Sequence, residues 1–271
     1  RRLSSAASDV YKRQVLGAGF MGGGITDVSV NNGMDVILKD LSEDMIQSSK
    51  STIWKGLKRK LKRKQLKDTE AKTIVQRAVG QTDFKGFQGV DVVIEAIVEN
   101  MEIKQKVIKE LETVCHEDFI FASNTSSLPL TEMSKAAKKP ENVIGMHYFS
   151  PVPKMPLLEI IKTDQTSEET LATCYEIGKR QGKTCIVVND MPGFYVNRIL
   201  CPYLIEGLLM IEEGVRIEDI DGALTSLGMP IGPITLLDEV GIDVGAHVMS
   251  GNMAQLLNCL LYTSPSPRDK S

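Results

Sequence analysis

The stretch Gly17-Ala18-Gly19-Phe20-Met21-Gly22 decides the fold, because it joins a short apolar segment, Val15-Leu16, to a predicted helix. Gly17 permits a tight turn, Gly19 lets the backbone approach a pyrophosphate, and Gly22 lets the helix pack on the strand. The N-terminus of the helix offers N–H groups and partial positive charge to a phosphate. The spacing predicts a dinucleotide-binding turn, with cofactor contacts from Gly17, Gly19, Phe20, Met21 and Gly22.

Asp40 follows a second predicted strand, residues 34–38. It lies at the distance from the turn where an acidic residue holds the adenine ribose hydroxyls. An acidic residue here favours NAD over NADP, because it repels the extra phosphate of NADP. A glycine-rich turn without a ligand is the alternative, but strand, helix and Asp40 together favour a cofactor site.

Apolar strands alternate with amphipathic helices along most of the chain. This order predicts an α/β fold, a Rossmann-type doubly wound sheet followed by a smaller, truncated all-α domain. We predict strands at residues 90–96, 119–123, 143–149 and 157–162, and helices at residues 20–32, 42–65, 68–79 and 101–115. A helix, a strand and a further helix follow up to residue 188, and residues 194–213, 217–227 and 233–248 are predicted to be helical.

Both ends of the chain break this pattern and resemble translated sequencing-adapter tails. An Arg- and Ser-rich transit peptide is the alternative for the first end, but it leaves no room for the first strand. We therefore expect a non-native tail over residues 1–14, an NAD-binding domain over 15–190, the start of a helical domain over 191–257, and a second non-native tail over 258–271.

Composition excludes several classes of function. The length of 271 residues suggests about two domains, and the 42% hydrophobic content is ample for a sizeable core. The net charge of -3 argues against a nucleic-acid partner. Five scattered cysteines without a CxxC motif are typical of reduced intracellular thiols and predict no metal site. We predict no membrane span, because no apolar run reaches the roughly 18 residues that one needs.

His147 is the strongest catalytic candidate among three histidines. It ends a predicted buried strand, and Glu159 lies on the next strand after a proline-rich corner that favours an antiparallel return. A carboxylate on one imidazole nitrogen fixes the tautomer and stabilises the imidazolium. The alternatives are a core histidine and a surface carboxylate.

Four motifs, in this order, resemble the signature of L-3-hydroxyacyl-CoA dehydrogenases. They are Ser123-Asn124-Thr125-Ser126-Ser127-Leu128, Gly145-Met146-His147-Tyr148-Phe149-Ser150-Pro151-Val152, Leu158-Glu159, and Pro192-Gly193-Phe194-Tyr195-Val196-Asn197-Arg198. The resemblance covers residues 15–248, and it is strongest to the dehydrogenase segment of multifunctional fatty-acid oxidation alpha subunits. It implies NAD-dependent oxidation of L-3-hydroxyacyl-CoA to 3-ketoacyl-CoA in fatty-acid β-oxidation.

The resemblance also implies individual roles. His147 matches the general base and Glu159 its partner, while Ser126 and Asn197 match polar groups around the substrate oxygen and thioester. Cofactor contacts are implied for four residues, Glu99, Lys104, Ser126 and Ser150, of which Glu99 and Lys104 belong to the loop and helix at the nicotinamide half. At position 150 single-domain relatives carry Asn.

The basic run at residues 55–64 (KGLKRKLKRK) has an ordinary interpretation as a solvated helix face. In the family, however, the equivalent helix lies near the phosphates of CoA. We therefore hypothesise that one or two of Lys58, Arg59, Lys62 and Arg63 bind the nucleotide end of the substrate, with Lys58 and Lys62 as the assigned pair.

Two other functions remain open. A dehydrogenase of the 3-hydroxyisobutyrate kind shares the glycine turn but uses a catalytic lysine in its helical domain. A catalytically incomplete NAD-binding fragment of the same enzyme is the second alternative. By resemblance, the parent protein is expected to associate with a thiolase subunit, in bacterial cytoplasm or, alternatively, in the mitochondrial matrix.

Overall fold

The computed structural model describes residues 13–242, and the chain divides after Asp190 into two compact units. Residues 1–12 and 243–271 lie outside the described part, and with them most of the predicted first tail, the whole predicted second tail and the end of the last predicted helix. Across the described residues, the helices are too short or too polar to span a bilayer.

The first unit is an eight-stranded sheet with helices along the chain between the strands. The strands are β1 (Arg13–Leu16), β2 (Val36–Lys39), β3 (Ala78–Gln81), β4 (Val92–Glu95), β5 (Ile120–Ser123), β6 (Val143–Tyr148), β7 (Leu157–Lys162) and β8 (Thr184–Asn189). The helices are α1 (Phe20–Asn31), α2 (Glu43–Lys62), α3 (Asp68–Gln76), α4 (Met101–Val114), α5 (Leu130–Ser134) and α6 (Glu168–Arg180), with 3-10 turns at Phe87–Gly89 and Pro140–Asn142.

The strand order is β3-β2-β1-β4-β5-β6-β7-β8, and every neighbouring pair is parallel except β6 and β7. The first six strands have the order of the dinucleotide-binding fold, in which ligands bind beyond the carboxyl ends of the strands where the order reverses, here between β1 and β4. The predicted Rossmann-type sheet is therefore confirmed. Strands β1, β4, β5 and β6 are buried throughout, as expected for strands covered on both faces.

Polar residues occupy the start of β1. This strand begins at Arg13, two residues before the predicted domain start. Gln14 is fully buried between Ile37 and Val93 on the neighbouring strands, and neither polar atom of its side chain has a hydrogen-bond partner. Such an unpaired buried group is unfavourable by about 1–3 kcal/mol. A polar side chain thus occupies a position whose surroundings suit an apolar one.

Two predicted helical segments were wrong. The helix predicted over residues 68–79 ends at Gln76, and the chain then forms β3, an edge strand paired with β2. Four residues carry too little periodicity to mark a strand, so the pairing with β2 decides the conformation. The further helix predicted before residue 188 is absent, because the β-branched run Ile186-Val187-Val188 belongs to β8, which pairs with β7.

The second unit contains α7 (Val196–Glu212), α8 (Ile217–Ser226) and α9 (Pro233–Val240), as predicted apart from their ends. The Asp221 side chain on α8 accepts hydrogen bonds from the backbone N–H groups of Ile234 and Thr235, at 3.0 and 2.9 Å, and so caps α9. Gly207 on α7 lets Pro233 approach closely. These contacts join the three helices into one unit.

Candidate active site

The glycine turn connects β1 to α1 with little space around two of its glycines. Gly17 has a φ of +94°, and a Cβ there would overlap the carbonyl oxygen of Ala96; a Cβ at Gly22 would overlap the carbonyl oxygen of Gly17. At Gly19, by contrast, a Cβ would meet nothing within 4 Å. The backbone before α1 is therefore open to an incoming group, which fits the pyrophosphate of a dinucleotide. Phe20 begins α1 and is 72% exposed, while Met21 is partly buried against the core.

Asp40 follows β2 and is tied to the same turn. Its Oδ2 accepts a hydrogen bond from the Ala18 N–H at 2.6 Å, and its Oδ1 accepts one from the Ser42 N–H at 3.1 Å. These bonds fix a carboxylate beside the glycine turn, where the sequence predicts contact with the adenine ribose.

A buried ion pair lies where β4 and β5 end, and we call this region the β4–β5 corner, defined by Glu95, Glu99, Lys104, Ser123 and the 125–127 turn. The Lys104 Nζ donates to Glu95 Oε1 at 2.6 Å, and the two side chains are 1% and 0% exposed. The Ser123 hydroxyl donates to Glu95 Oε2 at 2.7 Å, and the Ile97 N–H donates to Oε1 at 2.7 Å.

Glu99 joins this ion pair to the 125–127 turn. One carboxylate oxygen of Glu99 lies 3.3 Å from Lys104 Nζ, and the other accepts hydrogen bonds from the Thr125 hydroxyl at 2.5 Å and the Ser126 N–H at 3.1 Å. Burial alone raises the pKa of Glu99, but the charge of Lys104 and the hydrogen bonds of Thr125 and Ser126 outweigh it and lower the pKa below its usual range. Glu99 is therefore a carboxylate at neutral pH.

A second buried pair lies where β6 ends, and we call it the β6–β7 corner, defined by His147 and Glu159. The antiparallel register places the two residues directly opposite each other. His147 Nδ1 lies 2.7 Å from Glu159 Oε2, and both side chains are buried. The ring of Phe149 lies 4.5 Å from the imidazole, centroid to centroid. The burial of Glu159 excludes the alternative of a surface carboxylate.

The two corners lie at the carboxyl ends of neighbouring strands, on the same side of the sheet. Asn124, directly after β5, accepts a hydrogen bond from the Tyr148 N–H at 2.9 Å through its Oδ1 and so links the ends of β5 and β6. Ser150 is exposed just beyond β6, before a cis peptide bond to Pro151. Asn197 occupies the first turn of α7, in the second unit.

Sequence reasoning assigned no role to Glu95, Ser123 or Asn124. A usable signal was present, because a polar side chain at the carboxyl end of an apolar strand lies at the ligand-binding edge of such a sheet. Glu95 and Ser123 are the last residues of β4 and β5.

A groove runs along α1 and α2 beside the glycine turn. A pocket of about 440 Å³ is lined by the turn, by both helices and by the segment after β6, and a neighbouring pocket of about 690 Å³ extends it toward the C-terminus of α2. The cationic side chains lining the larger pocket are those of Arg59, Lys60, Arg63, Lys154 and Lys183. Asp27 is its acidic residue, and burial raises the pKa of this carboxyl. The groove therefore suits an anionic ligand.

The pair that the sequence assigned to the substrate, Lys58 and Lys62, does not line either pocket. Both lysines are exposed, and Lys58 Nζ lies 5.8 Å from the centroid of the Trp54 ring. The α-helical turn places Arg59 and Arg63 on the pocket side instead, a difference that a basic run without interruption does not reveal.

A dinucleotide-binding sheet with a buried histidine–carboxylate pair at its ligand-binding edge defines the class of protein, an NAD-dependent oxidoreductase. Two family models agree: the 3-hydroxyacyl-CoA dehydrogenase NAD-binding domain matches residues 12–191, and the 3-hydroxyacyl-CoA dehydrogenase C-terminal domain matches residues 193–266. The chain belongs to the 3-hydroxyacyl-CoA dehydrogenase family, and its cofactor is NAD.

Solved structures of similar proteins support this assignment. FadB2 of M. tuberculosis is 33% identical, with a TM-score of 0.86 over 92% of this chain and 88% of its own. The (S)-3-hydroxybutyryl-CoA dehydrogenase PaaH1 of Ralstonia eutropha is 36% identical, with a TM-score of 0.86 over 89% of this chain and 86% of its own. A 3-hydroxybutyryl-CoA dehydrogenase of Escherichia coli K12 is 32% identical, with a TM-score of 0.87; the match spans 92% of this chain but 53% of that protein.

Proposed function

We propose that this protein oxidises L-3-hydroxyacyl-CoA to 3-ketoacyl-CoA in fatty-acid β-oxidation, with His147 as general base and Glu159 as its partner. The observation that carries the proposal is the buried contact of 2.7 Å between His147 Nδ1 and Glu159 Oε2. It lies at the carboxyl edge of the sheet that also carries the glycine turn. The two similar enzymes from Ralstonia eutropha and Escherichia coli act on 3-hydroxybutyryl-CoA, by their names.

The pair has the geometry of an oriented base. When bound, NAD supplies a nicotinamide ring that takes up a hydride from the substrate. Because Nδ1 of His147 is bonded to Glu159, the proton of the 3-hydroxyl passes to Nε2. Glu159 stabilises the imidazolium that results, and the burial of both groups strengthens that interaction. Ser126 and Asn197 are assigned, by family resemblance, to the substrate oxygen and thioester.

The alternative of a 3-hydroxyisobutyrate-type dehydrogenase requires a lysine in the helical domain. Among the described residues of the second unit, 191–242, the sequence contains no lysine. This favours the base formed by His147 and Glu159 over a lysine-based mechanism.

The groove along α1 and α2 is assigned to the nucleotide end of CoA. That end carries several phosphate charges, and Arg59 and Arg63 line the groove together with Lys154. Guanidinium groups are suited to phosphate oxygens because their N–H groups form a planar fork. The sequence hypothesis about the basic run is thus kept, but its contacts move from the lysines to the arginines.

A substrate series tests the function. Purified protein is mixed with NADH and with acetoacetyl-CoA, acetoacetyl-pantetheine or a 3-hydroxyisobutyrate-type aldehyde, and the reduced-nicotinamide absorbance is followed. The proposal predicts rapid oxidation of NADH by acetoacetyl-CoA and a higher KM for acetoacetyl-pantetheine. NADH binding without oxidation by any ketone would identify a catalytically incomplete fragment, and oxidation by the aldehyde alone would favour the alternative dehydrogenase.

Charge reversal tests the groove. Arg59→Glu/Arg63→Glu is expected to raise the KM for acetoacetyl-CoA by about 100-fold or more, since two phosphate contacts with charged partners are lost and each contributes about 1.5–3 kcal/mol. The KM for acetoacetyl-pantetheine should not change. Lys58→Glu/Lys62→Glu carries the same charge change on the neighbouring face and should have a much smaller effect. Equal effects of the two double variants would show that the positive charge of the whole basic run, and not Arg59 and Arg63 in particular, binds the CoA phosphates.

A further inference from the structure

We propose that Glu95 is a positioning residue that holds the nicotinamide half of the cofactor site in place. This rests on the proposed dehydrogenase function and on the assignment of Glu99 to that half of NAD. Glu95 is 0% exposed, so it acts through its neighbours and not by touching a ligand.

The strand order places Glu95 under the relevant half of the site. The glycine turn follows β1 and Asp40 follows β2, so the pyrophosphate and the adenosine occupy the β1–β2 side of the sheet. The rest of an extended dinucleotide then crosses to the other side of β1, where β4 and β5 are the next strands. Glu95 is the last residue of β4, directly beneath this path.

Glu95 ties together the loops that leave both strands. It binds Lys104 Nζ at 2.6 Å and the Ile97 N–H at 2.7 Å, both beyond β4, and the Ser123 hydroxyl at 2.7 Å at the end of β5. The Ser123 hydroxyl oxygen in turn accepts the Thr125 N–H at 3.2 Å. One buried carboxylate therefore sets the separation of the two loops.

Lys104 is shared unequally between two carboxylates, and this makes the role of Glu95 specific. Its Nζ lies 2.6 Å from Glu95 but 3.3 Å from Glu99. If Glu95 lost its charge, Lys104 would pair with Glu99 alone and draw that carboxylate away from Thr125 and Ser126. A buried charge does not remain without a partner at low energetic cost. Glu95 thus keeps Glu99 on the 125–127 turn.

Glu95→Gln is the direct test, because it keeps the size of the side chain and removes the charge. We expect the KM for NAD and the Kd of NADH to rise by about tenfold, the effect of about 1.4 kcal/mol. The kcat at saturating cofactor should change by much less. The inhibition constant of ADP-ribose, which lacks the nicotinamide, should stay the same, and that separates local positioning from general damage to the fold.

Glu112→Gln is the matched control. Glu112 lies on the same helix α4, its side chain is 12% exposed, and its carboxylate accepts the Lys138 N–H at 2.5 Å, at the opposite end of the helix from Lys104. This variant should leave NADH affinity unchanged. If Glu95→Gln does not fold, Ser123→Ala is the test in its place, because it removes one hydrogen bond to Glu95 without changing the charge. It should raise the Kd of NADH to a smaller extent and leave the inhibition constant of ADP-ribose unchanged.

The proposal is overturned if Glu95→Gln, or Ser123→Ala in its place, binds NADH as tightly as the unchanged protein. It is also overturned if the affinities for NADH and ADP-ribose fall together. Failure of the dehydrogenase assignment gives a different result, since the unchanged protein would then fail to oxidise NADH with acetoacetyl-CoA.

Discussion

The β4–β5 corner and the β6–β7 corner are built alike, but the carboxylate is paired with a lysine in the first and with a histidine in the second. In each corner a fully buried carboxylate contacts a side-chain nitrogen. Glu95, at the end of β4, lies 2.6 Å from Lys104 Nζ, and Glu159, on β7 opposite His147, lies 2.7 Å from the imidazole. Lysine keeps its charge across the physiological pH range, whereas histidine gains or loses a proton within it. The same arrangement can therefore maintain a geometry in one place and carry a proton in the other.

The surroundings of the two corners support this division. At the β4–β5 corner, the carboxylates of Glu95 and Glu99 accept hydrogen bonds from hydroxyl and backbone groups that tie two loops together. At the β6–β7 corner, the register of two antiparallel strands places the two side chains opposite each other, and Phe149 packs beside the imidazole. Under the proposed mechanism, the first corner holds a fixed geometry and the second acts as an oriented acid–base group.

The largest effect is expected for His147→Gln. Loss of the general base should reduce kcat by about 10³- to 10⁴-fold, toward the upper end for a positioned acid–base group. Stopped-flow oxidation of NADH by acetoacetyl-CoA measures this rate, and NADH fluorescence checks that the cofactor still binds. Retention of most of the turnover would remove His147 from the mechanism.

Glu159→Gln should have the next largest effect. The imidazole remains, but it loses the carboxylate that orients it and stabilises its charged form, so kcat should fall by about 10²-fold. The KM for NAD should be unaffected, because Glu159 belongs to the β6–β7 corner. A change confined to the KM for NAD would show that Glu159 serves the cofactor site and not the base.

Lys104→Met should mainly change cofactor affinity, whereas Glu159→Gln should mainly change kcat. The Kd of NADH should rise by about tenfold with a smaller change in kcat, because Lys104 no longer links the buried carboxylate of Glu95 to Glu99 and the 125–127 turn. Combining this change with Glu95→Gln should add little, since both remove the same interaction. Additive losses in a double-mutant cycle would show that Glu95 and Lys104 act separately.

The smallest expected effect is on the stability of the protein at acidic pH, through Glu99. The pKa of Glu99 lies below its ordinary value of 4.5, so its contribution to stability is complete above that value and is lost as the pH falls through the lower, folded-state pKa. The difference in free energy of unfolding between the unchanged protein and Glu99→Gln should thus be constant near neutral pH and shrink below about pH 4.5. Urea unfolding at a series of pH values measures it; a difference that grows on acidification contradicts the network.

Much of the fold followed from the sequence because the glycine turn, the apolar strands and the polar stops between them are local signals. The site was less accessible. The facing of His147 and Glu159 could be predicted from a proline-rich corner between two strands, but the roles of Glu95 and Ser123 depend on which strands are neighbours, and β4 and β5 are separated by a long helix. The choice of Arg59 and Arg63 over Lys58 and Lys62 depends on which face of α2 lines the groove. The short strand β3 was missed because only its pairing with β2 defines it.

A crossed measurement on Glu159→Gln and Lys104→Met tests the division between the two corners most directly. For each variant, the single-turnover rate of NADH oxidation with saturating acetoacetyl-CoA is measured beside the Kd of NADH. Glu159→Gln should slow the turnover and leave NADH affinity intact, while Lys104→Met should weaken NADH affinity and leave the saturated rate within a few-fold of the unchanged protein. Variants that each lower both quantities to the same extent would contradict it.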